Sequence, residues 1–284
     1  MALESPTGNP PLQRPGLRLA PSSRPTTSDP GAWLWLLSWL LLAGLGPVLP
    51  GPLLEAARLL WVLLFSLVLH DLGHALAADR AGDPTARMQG RLRLSPLAHF
   101  DRLGSFWLPL LSTVLSSAQL VVGWARPIPV RYESLRDPRQ DALRVAACGP
   151  LVSLGLAYLC LVGLAALTLV LGIRMELNPP GGVWTASVLA PSLVGWEAVA
   201  STLRFGLAVN LVLLVVNCLP FLPFDGGWIL RLITPRPTRS VIERLQAVLL
   251  LLAVVLTLLG RGGFLLTPLG GLWNLSLRTL EALP

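Results

Sequence analysis

Six apolar runs, Ala32–Leu49, Leu59–Ala78, Leu103–Gly123, Val145–Ile173, Phe205–Phe224 and Val241–Leu259, alternate with polar segments rich in arginine and proline. A helix needs about 20 apolar residues to cross a bilayer, and these runs approach or exceed that length. Trp33, Trp35 and Trp39 crowd one end of the first run, where tryptophan suits a membrane interface, and Pro47, Pro50 and Pro52 close it. Two intervening stretches have another period. Arg87–Leu94 ends in strict polar/apolar alternation, and Arg126-Pro127-Ile128-Pro129-Val130 is pushed to extended geometry by its prolines. The pattern predicts an all-α membrane protein: a polytopic helical bundle of about five or six transmembrane helices, one of them re-entrant, with a small membrane-edge β element. Residues 1–31 lack apolar periodicity and are expected to form a disordered Pro/Arg-rich tail. Residues 32–260 form the transmembrane domain, with its core at 59–235. Residues 261–284, interrupted by Pro268 and Gly270-Gly271, are expected on the membrane surface.

Composition supports the membrane reading and charge orients it. The chain is 53% hydrophobic and 13% charged, against about 25% charged in a soluble domain. All 22 basic residues are arginine, and the net charge is +7. They fall mostly between apolar runs, which marks membrane-flanking charge rather than a nucleic-acid surface. The segments on both sides of Leu103–Gly123 are equally arginine-rich, so that run reads as a re-entrant hairpin bending near Pro109, Ser112, Ser116 and Ser117; a full crossing is the alternative. With that topology, 17 arginines lie on one side and 5 on the other, which makes the richer side cytoplasmic. Cys148, Cys160 and Cys218 have no C-x-x-C spacing and read as small core residues.

The chemistry lies in His70-Asp71-Leu72-Gly73-His74. Histidines four apart share one helical face, the spacing of a two-histidine zinc clamp. The pair sits about 12 Å inside an apolar helix, where ionisable groups are costly and mark function. Two structural histidines bonding neighbouring helices are the alternative. Asp71 stands where H-E-x-x-H has its glutamate base. A catalytic zinc takes three protein ligands and keeps a fourth position for water. Asp225 is the best third ligand. It follows an apolar run broken by Pro220 and Pro223, and the arginine count places it at the same face as the histidine pair. His99 is a minor alternative.

Four stretches occur in order: His70–His74; Gly82-Asp83-Pro84-Thr85-Ala86 with Leu94-Ser95-Pro96-Leu97-Ala98-His99-Phe100-Asp101; Gly123-Trp124-Ala125-Arg126-Pro127-Ile128-Pro129-Val130; and Asn217-Cys218-Leu219-Pro220-Phe221-Leu222-Pro223-Phe224-Asp225-Gly226-Gly227. Together they resemble the site-2 proteases, the intramembrane zinc metalloproteases, in their compact prokaryotic branch. The resemblance implies one Zn2+ held by His70, His74 and Asp225, with Asp71 as the base. It also implies a substrate region at Asn217, Pro220, Pro223 and Ser153, and a transmembrane protein as substrate. It further implies a multi-pass cell-membrane location, with the lipid bilayer and an unidentified gating partner as surroundings; the arginine count sets the site toward the cytoplasm. Two departures stand out. Asp71 replaces the family's glutamate, and Gly149-Pro150-Leu151-Val152-Ser153 has serine where the family usually has asparagine. Aspartate is one methylene shorter, which predicts an attenuated metalloendopeptidase. The rivals are a non-catalytic zinc-binding pseudoprotease that holds membrane clients, and a metal or proton transporter.

Overall fold

The structure, a computed structural model, describes residues 30–45, 48, 51–115, 123–171, 196–258 and 267–283. The expected disordered tail lies almost wholly outside these, as do the bend at Ser116 and Ser117 and the loop around Trp184. The helices are α1 (Gly31–Gly44), α2 (Gly51–Arg80), α3 (Thr85–Met88), α4 (Leu108–Leu115), α5 (Gln140–Leu171), α6 (Glu197–Asn217), α7 (Asp225–Ile233), α8 (Arg239–Leu258) and α9 (Thr267–Glu281). Three contain segments long and apolar enough to cross a membrane: Leu53–Arg80, Gln140–Val170 and Glu197–Asn217. The all-helical expectation holds among the described residues, and three helices there are long and apolar enough to span.

Those three helices form the frame. α2 and α5 run antiparallel: His74 bonds the carbonyl of Val145, and His70, one turn earlier, meets Ser153, two turns later. α2 and α6 run in the same direction, tied by Glu55–Arg204 near their starts and by Asn210 Nδ2 donating to Ser66 Oγ at 2.9 Å further along. Leu59, Val62, Leu63 and Leu67 of α2 pack on Phe205 and Val209 of α6. Ala157 and Leu164 of α5 pack on Leu207, Ala208, Leu211 and Val215 of α6. In lipid such dispersion contacts and interhelical hydrogen bonds carry association, because an apolar side chain gains nothing by leaving one hydrocarbon environment for another. The tryptophans of α1 work inward as well as at an interface. Trp35 donates to the Leu94 carbonyl at 2.8 Å and packs edge-on against Trp61 and Phe65, and Trp39 donates to Thr202 Oγ1 at 2.8 Å.

Two expectations need correction. No strand forms among the described residues. Thr85–Met88 takes a helical turn, and 123–130 lacks regular structure. A strand ladder is not needed there because a side chain replaces it: the guanidinium of Arg91, itself buried, donates to the carbonyls of Arg126 and Pro127. The Arg126 N–H goes to the His99 carbonyl and the Arg131 N–H to the buried Asp83 carboxylate, which also takes the Thr85 N–H and hydroxyl. Nor does the C-terminal segment break at its proline and glycines. Pro268 sits in the first turn of α9, where its missing N–H leaves no helical bond unmade. Leu269 and Trp273 of the same helix are buried against α6.

Arg204 is 4% exposed within an apolar helix, its charge balanced by Glu55, which Arg58 also contacts at 2.8 Å. Removing one partner of a buried pair strands the other. Glu55→Ala should therefore destabilise the bundle by about 3 kcal/mol, seen as a lower thermal unfolding midpoint in detergent. Glu55→Ala paired with Arg204→Met should recover most of the loss.

Candidate metal centre

α2 delivers His70 and His74 from its last three turns, and α7 delivers Asp225 as its first residue. Phe224, extended, breaks the chain direction just before α7. Gly226 and Gly227 then let the first turn of α7 lie on the backbone of Cys218–Leu222; a Cβ on Gly226 would stand 2.5 Å from the Cys218 carbonyl. The three side chains converge. His70 Nε2 lies 3.2 Å from His74 Nε2 and 3.2 Å from Asp225 Oδ2, and His74 Nε2 lies 3.3 Å from the same oxygen. Among the described residues this is the single cluster of three such groups able to hold a metal.

The hydrogen bonds behind the rings decide what the ring faces offer. His74 Nδ1–H donates to the Val145 carbonyl at 2.7 Å, so its Nε2 presents a lone pair forward when the ring is neutral. His70 Nδ1 meets Ser153 Oγ at 2.9 Å, and with that hydroxyl as acceptor the His70 Nε2 also presents a lone pair forward. Asp225 Oδ2 is buried and, the two imidazoles aside, has no hydrogen-bond partner among the described residues. Three acceptors thus face one point. A tetrahedral zinc with bonds of about 2.0–2.1 Å has ligand atoms roughly 3.3–3.4 Å apart, which is the size of this triangle. Two nitrogens, one carboxylate oxygen and an open fourth direction fit a catalytic zinc.

α5 closes the site from behind. A Cβ on Gly149 would overlap His74 Nε2 and stand 2.6 Å from His70 Nε2, so the helix backbone itself borders the cluster. Gly73 makes the reciprocal approach from α2: a Cβ there would stand 2.8 Å from Val152 Cγ2. Asp71 Oδ2 is buried without a hydrogen-bond partner among the described residues, within the electrostatic reach of His74, Arg91 and Asp225. Pro220 and Pro223 are exposed in the turn that precedes Asp225, and Asn217 bonds its own helix through the Leu213 carbonyl at 2.9 Å. Ser153 is fully buried behind His70, away from the open side of the cluster. His99 stands apart from the cluster. It is buried and bonded to the Arg93 carbonyl at 3.0 Å, and burial together with nearby Arg91 holds its pKa below the usual histidine value.

The model for peptidase family M50 matches residues 58–260, the stretch that contains all three donors. The chain belongs to peptidase family M50. A Bacillus subtilis (strain 168) protein named "Putative zinc metalloprotease YwhC" is 30% identical over 218 residues, 77% of this chain and 88% of that one. No solved structure matches the chain. M50 metalloproteases are zinc-dependent, and His70, His74 and Asp225 are the residues of this M50 chain that would hold the ion.

Sequence reasoning named the three side chains that the structure brings together and missed part of their support. Val145 acts through its carbonyl, so its side chain carries no signal. Gly149 was visible only as half of a Gly-Pro pair, and its neighbour Pro150 lies inside α5. Ser153 carried a signal, because a hydroxyl in an apolar helix needs a partner. Gly149→Ala should abolish zinc binding while preserving the helix, since alanine favours helix more than glycine does. Ser153→Ala should weaken zinc about 10–100-fold. Metal content and chelator competition on purified protein check both.

Proposed function

We propose that this M50 protein is an intramembrane metalloprotease, cutting a peptide bond in or near a transmembrane helix of a membrane-protein substrate. The observation that supports this best is the placement of the donor triangle. It lies against α2 and α5, both apolar enough to span, and His70 is 5% exposed. Zinc, when bound, supplies a Lewis acid and a nucleophilic water at neutral pH. Asp71 is the proton carrier: its Oδ2 receives the proton of the attacking water and delivers it to the leaving amide nitrogen. Ser153 and the Val145 carbonyl orient the imidazoles, and α5 excludes solvent from one side. A substrate helix must unwind locally, because its scissile bond is shielded by its own hydrogen bonds. The stretch after Pro127 can receive the unwound segment: the Ile128 and Val130 N–H groups have no hydrogen-bond partner among the described residues. Pro220 and Pro223 border the approach to Asp225. The arginine-rich end of the bundle is cytoplasmic in this reading, which places proteolysis toward that leaflet of the cell membrane.

The aspartate sets the rate. If the backbone is unchanged, its carboxylate falls about 1–1.5 Å short of a glutamate's, and 1 Å of misplacement can cost about 100-fold. In vesicles containing a transmembrane substrate, Asp71→Glu should raise cleavage and Asp71→Asn should abolish it, with zinc content equal in all three proteins. Zero cleavage by wild type and by Asp71→Glu alike would leave a zinc-binding pseudoprotease. Asp225→Ala should lose both zinc and activity, and metal retained by that variant would remove Asp225 from the ligand set.

A further inference from the structure

Two clefts flank the arginine-rich end of the bundle, and they differ in what surrounds their guanidiniums. One, of about 580 Å³, is lined by Arg80, Arg136 and Arg144 together with Asp137 and Asp141. Its acids are engaged in place: Arg144 pairs with Asp141 at 2.9 Å, and Asp137 caps the start of α5. The other, of about 650 Å³, is lined by Tyr132, Glu133, Arg139, Trp228, Arg231 and Arg239 among others. Here Arg139, Arg231 and Arg239 face the lining carboxylate of Glu133, and Glu243 bonds Arg231. Each guanidinium has five N–H donors. Arg231 commits Nε to Glu243 at 2.5 Å, and Arg139 commits one nitrogen to the Ile233 carbonyl at 3.2 Å. The Nε of Arg239 is buried and has no hydrogen-bond partner among the described residues. Tyr132 stacks on Trp228 with ring centroids 5.8 Å apart, and Arg231 lies over the Trp228 ring at 5.1 Å. Burial pushes the Tyr132 phenol above its usual pKa, which keeps it a neutral donor.

We propose that this second cleft binds a phosphate group, that of an anionic phospholipid headgroup. Clustered guanidiniums with donors to spare suit a phosphate diester, and a tyrosine–tryptophan pair suits the headgroup depth. Place and continuity favour a lipid over a soluble phosphate. The cleft is lined by the segment that leads into α5 and by α7 with its turn into α8, at the end of the bundle where the apolar helices begin. α8 starts at Arg239 and exposes Val241, Leu245 and Val248 on one face, an apolar track for acyl chains. A headgroup here ties the Tyr132–Arg139 segment to α7, the helix whose first residue is Asp225. The inference depends on no step of proteolysis.

The test is native mass spectrometry of the full-length protein in detergent with dioleoylphosphatidylglycerol or dioleoylphosphatidylcholine added. Wild type should retain one phosphatidylglycerol in preference to phosphatidylcholine. Arg139→Gln with Arg239→Gln should weaken that retention about tenfold or more. Arg80→Gln with Arg136→Gln removes equal charge from the other cleft and should leave it unchanged. Arg139→Gln alone, at an exposed position that folding tolerates, should show a smaller loss in the same direction. Equal loss in both double variants, or no preference between the lipids, overturns the site. Displacement of the lipid by an equal concentration of glycerol phosphate overturns the lipid assignment in favour of a soluble phosphate ester.

Discussion

Three electron-pair donors held 3.2–3.3 Å apart repel one another unless a cation lies between them. That repulsion organises the middle of the molecule. Two imidazoles and a carboxylate would drift apart or reprotonate if their surroundings allowed it. The Val145 carbonyl and Ser153 hold the rings from behind, and the Gly226-Gly227 contact with the Cys218–Leu222 backbone holds the carboxylate. Gly149 and Gly73 bring α2 and α5 close enough for these bonds to form. The cost of holding the donors together is spread over four elements, which is why the local sequence around each looks so constrained.

The motif stretches outside the donor set do a different job. Gly82 adopts φ +108° at the end of α2, a conformation that favours glycine, and turns the chain so that Asp83 is buried beneath the Arg131 amide. His99 and Arg91 take the other end of the same extended segment, one through a carbonyl and one through a guanidinium. These contacts set 123–131 against the end of the bundle without a partner strand. Segments that read as separate motifs in the chain are thus two halves of one clamp.

Much of this was legible before the structure. Apolar run length identified α2, α5 and α6, and the i, i+4 histidines with a carboxylate after a proline-broken helix identified the donors. The periodic signal failed where a single side chain did the work of a secondary structure. Arg91 satisfies carbonyls that a strand would otherwise satisfy, and alternation around it suggested a ladder. It failed again at Pro268, because a proline breaks a helix only where its N–H is needed. The tryptophans of α1 were read by their average preference for interfaces, whereas Trp35 and Trp39 follow specific acceptors at Leu94 and Thr202. The bond of Ser153 to His70 depends on a helix register that sequence does not display.

The donors of the triangle come from α2 and α7, with the long helices α5 and α6 between them in the chain. Synthesis runs from the N-terminus, so a nascent chain carries the histidine pair long before it carries the aspartate. Until α7 is made and docked, only two ligands exist and no tetrahedral face can close. A three-donor site is therefore a property of the finished bundle rather than of any fragment. A chain stalled before residue 225 has no third donor, so the triangle cannot close on any fragment that lacks α7.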